Sequence, residues 1–172
     1  GDIRIVGGAS DNQVIISESS VDKDNYKMIC KHYGSKLTIE YCAQKNNFIG
    51  FNAPLSKELV IVVPRAWLCD SIEIKTASSD IYFNDFKIRE LDIESASGKC
   101  EFVYCDVVDL DIDTASGDIY FDGELTNLEL DAASANAEFI ISGLPQSINA
   151  EMASGDVIFV LPDDQGFRLD VD

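Results

Sequence analysis

The sequence predicts an all-β fold: a single-stranded, right-handed parallel β-solenoid with about 19 residues per coil and an N-terminal β cap. Three observations predict it. The dipeptide Ala-Ser recurs at Ala77, Ala96, Ala115, Ala133 and Ala153, in steps of 19, 19, 18 and 20 residues, and a fixed period of this size marks a stacked repeat. Each copy is flanked by segments of strict alternation, the pattern of a strand with one buried face. Five of the nine phenylalanines, Phe83, Phe102, Phe121, Phe139 and Phe159, occupy one repeat position.

Residues 1–58 break the period and read as the β cap. Their strands are Ile3-Arg-Ile-Val6, Val14-Ile-Ile16, Tyr26-Lys-Met-Ile-Cys30 and Leu37-Thr-Ile-Glu-Tyr41, the last two forming a hairpin about Tyr33-Gly-Ser35. Terminal repeats of solenoids are atypical because something must cover the open end. Residues 59–172 read as the repeat region, continuous with the cap. Its first, irregular coil begins at Leu59-Val-Ile-Val-Val-Pro64, with Trp67 and Leu68 plugging the junction.

Within the repeats, one apolar column runs Ile72, Leu91, Leu110, Leu128, Ile148 and a second Ile74, Ile93, Ile112, Leu130, Ala150. After each corner come Ile81, Cys100, Ile119, Ala137, Val157 and then the phenylalanines. A coil of this length traces about 60 Å, two or three short sides, and stacking sets like residues about 4.8 Å apart. A lone coil cannot bury its inward face, so neighbours supply the stability. Right-handedness follows from the rule for parallel crossovers. The competing architecture is an antiparallel β-sandwich. The residue after each corner reads Asp80, Lys99, Asp118, Asn136, Asp156, so no two adjacent rungs carry the same charge. The chain stops at Leu169-Asp-Val-Asp172, where the style of Leu110-Asp-Ile-Asp113 calls for Ala-Ser-Gly next. Either the protein continues there or the last strand ends the stack unprotected; Gly1 in place of Met hints that an N-terminal segment is removed.

Composition narrows the function. With 31 acidic against 13 basic residues and a net charge of −18, the chain lacks the clustered Lys and Arg that nucleic acid or anionic lipid requires. No apolar run reaches the roughly 18 residues of a membrane span. Five cysteines, Cys30, Cys42, Cys69, Cys100 and Cys105, show no CxxC spacing, which disfavours zinc and a disulfide framework. Buried thiols are expected, with a Cys30–Cys42 bridge as the oxidised alternative. The one histidine, His32, reads as a solvated loop residue with no nucleophile motif beside it.

The repeated unit Ile/Leu-x-Ile-x-Thr/Ser-Ala-Ser-Gly-Asp-x-x-Phe resembles a bacterial adhesin-type family, a β-strand-repeat domain of unknown function. The resemblance covers roughly residues 36–172, including Leu37-Thr-Ile39, the strand ending at Pro64 and the Val160-Leu-Pro162 echo. Ser79 and Ala135-Asn136 depart from the motif. The resemblance implies a repetitive β fold on envelope-associated or membrane-anchored bacterial proteins, and no catalytic residues. An extracytoplasmic or cell-surface location is therefore expected, with any anchor on a segment outside this chain.

Stacked coils would array Glu73, Asp92, Asp111, Glu129, Asn149 in one outward row and Lys75, Glu94, Asp113, Asp131, Glu151 in the next. Six adjacent carboxylate pairs repel by about 0.9 kcal/mol each before screening, which a fold can bear as a solvated face that opposes aggregation. Three uses remain for this acidic face. It could hold weak surface Ca²⁺, which takes six to eight oxygens. It could meet a basic protein or glycan partner. As a polysaccharide-processing enzyme it could use neighbouring carboxylates as acid and base, but short third segments and scarce basic residues argue against a cleft. A non-enzymatic structural or adhesive module without a resident cofactor is the expectation.

Overall fold

The computed structural model describes residues 1–9, 13–19, 29–33, 36–40, 58–163 and 166. Its strands are β1 (Asp2–Ala9), β2 (Ile15–Ser19), β3 (Ile29–Tyr33), β4 (Lys36–Glu40), β5 (Glu58–Pro64), β6 (Leu68–Thr76), β7 (Ile81–Asn84), β8 (Lys87–Ser95), β9 (Cys100–Ser116), β10 (Ile119–Ser134), β11 (Ala137–Ile141), β12 (Ser147–Met152) and β13 (Val157–Val160). No helix occurs among the described residues. The repeats form a parallel β-solenoid, not a sandwich: β6, β8, β9, β10 and β12 pair parallel in succession, as do β7, β9, β10, β11 and β13.

Inward positions in the first full coil are Ile81, Phe83, Phe86, Ile88, Leu91, Ile93 and Ser95. Strict alternation lapses twice, between Phe83 and Phe86 and between Ile88 and Leu91, so each coil has three sides. The middle side is short, and its inward columns are Phe86–Cys105 and Ile88–Val107–Leu125. The 18-residue step reflects a deletion at the first of these bends: Gly123 lies opposite Cys105, leaving Tyr104 without a counterpart. The 20-residue step is an insertion on the middle side, between Ile141, opposite Gly123, and Ser147, opposite Asn127.

Asp85 and Tyr104 hold this bend with φ of 53° and 55°. Aspartate tolerates the left-handed region, but tyrosine does so only at about 1–2 kcal/mol. Tyr104 is 71% exposed, so its side chain recovers little by burial. Tyr104→Gly is therefore expected to stabilise the protein by about 0.5–1 kcal/mol, after glycine's extra chain entropy is deducted. A fall in thermal midpoint would show that the tyrosine ring contributes more than its backbone costs.

The five phenylalanines stack in register. Ring centroids lie 5.3, 5.7, 6.1 and 5.2 Å apart from Phe83 to Phe159. The first four are fully buried, whereas Phe159, on the last described coil, is only half-buried. In the same column Ile5 of β1 lies opposite Phe83, and Ile61 of β5 opposite Ile5.

The N-terminal end differs from the expectation. Residues 59–64 do not form a coil lying directly on the repeats. Strand β1 runs parallel between β5 and β7, pairing Ile3 with Leu59 on one side and Ile81 on the other, and β2 closes the sheet antiparallel to β5. Alternation identified these segments as strands but carries no record of which strand each pairs with. Trp67 and Leu68 are 42% and 54% exposed, so neither plugs a junction; a turn closed by Trp67 N–H donating to the Pro64 carbonyl at 3.0 Å turns them outward. Strands β3 and β4 form the expected hairpin, Tyr33 opposite Lys36, and Ile39 packs against the core. His32 belongs to β3, opposite Leu37, and is not a loop residue. The thiol of Cys30 is free and exposed rather than buried, Cys69 is half-buried, and Cys100 and Cys105 are buried. Cys42, Tyr26–Met28, Tyr41 and Leu169–Asp172 lie outside the described residues.

Candidate functional site

The Thr/Ser-Ala-Ser-Gly-Asp corners come first, because a recurrent polar motif could be a site. In these coils its polar groups hold the chain to itself. Buried Ser95 and Thr114 donate their hydroxyls to the carbonyls of Ser97 and Ser116, at 3.0 and 3.2 Å, closing their own corners. The following serines bond to the coil beneath: Ser97 Oγ to the Ala77 carbonyl at 3.3 Å and Ser116 Oγ to that of Ala96 at 3.4 Å. The residue after the corner also staples coils. Asp80 Oδ1 accepts from Lys99 N–H at 2.8 Å, Asp118 Oδ1 from Asn136 Nδ2 at 3.2 Å, and Asn136 Oδ1 from Asp156 N–H at 3.4 Å. Buried polar groups must find partners, and here the motif supplies its own.

The outward rows of the third side stand in the order the period requires. Glu73, Asp92, Asp111, Glu129 and Asn149 lie opposite one another coil by coil, as do Lys75, Glu94, Asp113, Asp131 and Glu151. A third row begins two residues earlier, Ser71, Glu90, Asp109, Asn127 and Ser147. It obeys the same period-two alternation and was legible in the sequence by one more backward step.

Repulsion is relieved at both ends of this face. Lys75 Nζ meets Glu94 at 2.7 Å and Glu73 at 3.3 Å, and these contacts raise the lysine pKa, that with Glu94 most. At the other end Asn149 Nδ2 donates to Glu129 and Asn127 Nδ2 to Asp109, both at 2.7 Å. Among the described residues Asp92, Asp111, Asp113 and Asp131 in the middle have no cationic partner. Partial desolvation, followed by the charges of Asp92, Glu129, Asp131 and Asp113, raises the Asp111 pKa.

A carboxylate raised in the folded state favours folding when protonated, and loses that advantage as pH climbs through its folded pKa. Asp111→Asn should thus raise the thermal midpoint at pH 7, by less as pH falls below the carboxylate range and less in high salt. Equal midpoints for the two proteins at pH 7 in dilute buffer would show that the row carries no strain.

Beside the second acidic row runs an open groove of about 970 Å³. Lys75, Glu94, Asp113, Asp131 and Glu151 line it together with the corner alanines Ala96, Ala115 and Ala133. The alanines are exposed at the corner tips, so the groove repeats one carboxylate and one methyl group per rung. Among the described residues no three His, Cys, Asp or Glu side chains converge as a metal ion demands; the carboxylates are arrayed, one per coil. Burial pushes the Cys100 thiol up to about 11 and the Cys105 thiol up to about 12, so neither is a thiolate nucleophile at neutral pH. No helix among the described residues is long and apolar enough to cross a membrane.

No curated protein and no solved structure matches the chain. A family model described as Toastrack DUF4097 matches residues 1–170, a span that takes in the β1–β5 pairing as well as every repeat. A Toastrack domain of unknown function, built as a β-solenoid of stacked coils, is the family to which this chain belongs.

Proposed function

We propose that this domain is a non-enzymatic structural or adhesion-type module of the cell surface or envelope, which docks a cationic partner on its acidic side. One observation carries the reading: the carboxylates of Asp92, Asp111, Asp113 and Asp131 stand in register without a cationic partner among the described residues, beside an open groove. Holding like charges in rows costs stability, and a basic partner turns that cost into attraction. The corner hydroxyls are engaged in bonds within and between coils and the buried thiols are protonated, which supports a scaffold over a catalyst.

The test is calorimetric titration of the full chain with poly-lysine in dilute buffer, with calcium as a separate arm. Saturable binding that weakens strongly in Asp111→Asn/Asp113→Asn and with added salt is expected. Binding indifferent to these substitutions would refute the reading. Heat from calcium at millimolar concentration, lost in the same variant, would favour the alternative of a weak surface calcium site.

A further inference from the structure

The first side of the coil carries a different outward row: Arg4, Tyr82, Glu101, Tyr120 and Glu138 lie opposite one another in successive strands. Tyrosines and carboxylates therefore alternate, with Tyr82 and Tyr120 about 9.6 Å apart, two strand spacings. The two tyrosines share a register column but not their surroundings. Over Tyr82 the Arg4 guanidinium sits 4.3 Å from the ring centroid, a cation–π contact, and Arg4 is also held by Glu58 at 2.7 Å. Lys99, bound to Glu101 at 2.6 Å, lies nearby as well.

Tyr120 has no such cation over its ring among the described residues. It lies between Glu101 and Glu138; desolvation and then the acidic groups Asp122, Glu138, Glu101 and Tyr104 raise its pKa, and the cation at Glu101, Lys99, is engaged with that carboxylate at 2.6 Å. Glu138 is exposed and has no ion-pair partner among the described residues.

We propose that the Tyr120 ring with the Glu138 carboxylate is a receptor site for an arginine side chain presented by a partner protein, seated as Arg4 is seated on Tyr82. A guanidinium stacks on an aromatic face while its edge donates to a carboxylate, and Arg4 does both, to Tyr82 and to Glu58. The site is on another side of the coil from the acidic rows and does not depend on them.

The test is a nuclear magnetic resonance titration of the full chain with a tetra-arginine peptide, run on the wild type and on Asp111→Asn/Asp113→Asn. Saturable shifts at the Tyr120 ring and the Glu138 amide are expected in both. Tyr120→Leu should weaken this binding roughly two- to five-fold, and Glu138→Gln, at an exposed position, should weaken it without disturbing the fold. Tetra-lysine should bind the site less well, because an ammonium lacks the planar stacking face. The proposal fails if the Tyr120 signals do not move, if Tyr120→Leu binds as the wild type does, or if tetra-lysine is equivalent. Shifts confined to the acidic rows would overturn it while leaving the docking reading of that face intact.

Discussion

Phe121→Ala should cost about 3–5 kcal/mol, the range for emptying a fully buried aromatic position. Phe121 is 0% exposed, and its ring lies 5.7 Å from Phe102 and 6.1 Å from Phe139. Truncation therefore removes two ring contacts and leaves a void in the middle of the column. Because a solenoid's stability is the sum of coils and the interfaces between neighbours, the loss falls where the two halves are joined. Urea unfolding followed by circular dichroism should show the midpoint drop, and a single transition could part into two. Phe159→Ala is the contrast. Half-buried, with one ring partner among the described residues, it should cost about 1–2 kcal/mol. Equal losses at the two positions would mean that the column does not act as a continuous core.

Gly117→Ala is expected to be strongly destabilising although the corner is partly exposed. Gly117 has φ of 137°, a region that disfavours any side chain. A Cβ there would lie 2.0 Å from the Gly98 carbonyl oxygen in the coil beneath. That oxygen is backbone and cannot swing aside, because Cys100 N–H bonds to the Asp118 carbonyl at 3.0 Å and ties the two corners together. The expected loss is about 2–4 kcal/mol, strain plus the displaced corner. Gly143→Ala is the control, since nothing lies within 4 Å of the point where its Cβ would stand; its stability should change by no more than about 0.5 kcal/mol. Comparable shifts in thermal midpoint for both would remove close approach as the reason for glycine in the corner motif.

The columns were legible because each coil sees the same environment, so selection for burial writes the same residue type at the same step: Phe83 to Phe159, Leu91 to Leu128. The acidic rows followed from the same period. Other features were hidden for physical reasons. Ile3-Arg-Ile-Val6 alternates as any half-buried strand does, and alternation does not encode a neighbour, so the place of β1 between β5 and β7 left no mark. The bend at Asp85 and Tyr104 uses left-handed residues without glycine, so the usual signal of a corner is missing there. Trp67 misled because a large aromatic after a proline suggests a plug, whereas a turn at Pro64 aims it at solvent. The pairing of Tyr120 with Glu138 was hidden in plain alternation: both occupy outward positions, and only strand register shows that they adjoin.

The interposed first strand bears on biogenesis. Ile3 emerges from the ribosome before either of the strands it must lie between, Leu59 and Ile81 being synthesised much later. The nascent segment has to remain unpaired while its slot is being made, whereas each later coil can add onto the one already laid down. Closing such a distant contact is slow. Strand β1 should accordingly be the last of these paired strands to acquire protection against amide hydrogen exchange during refolding.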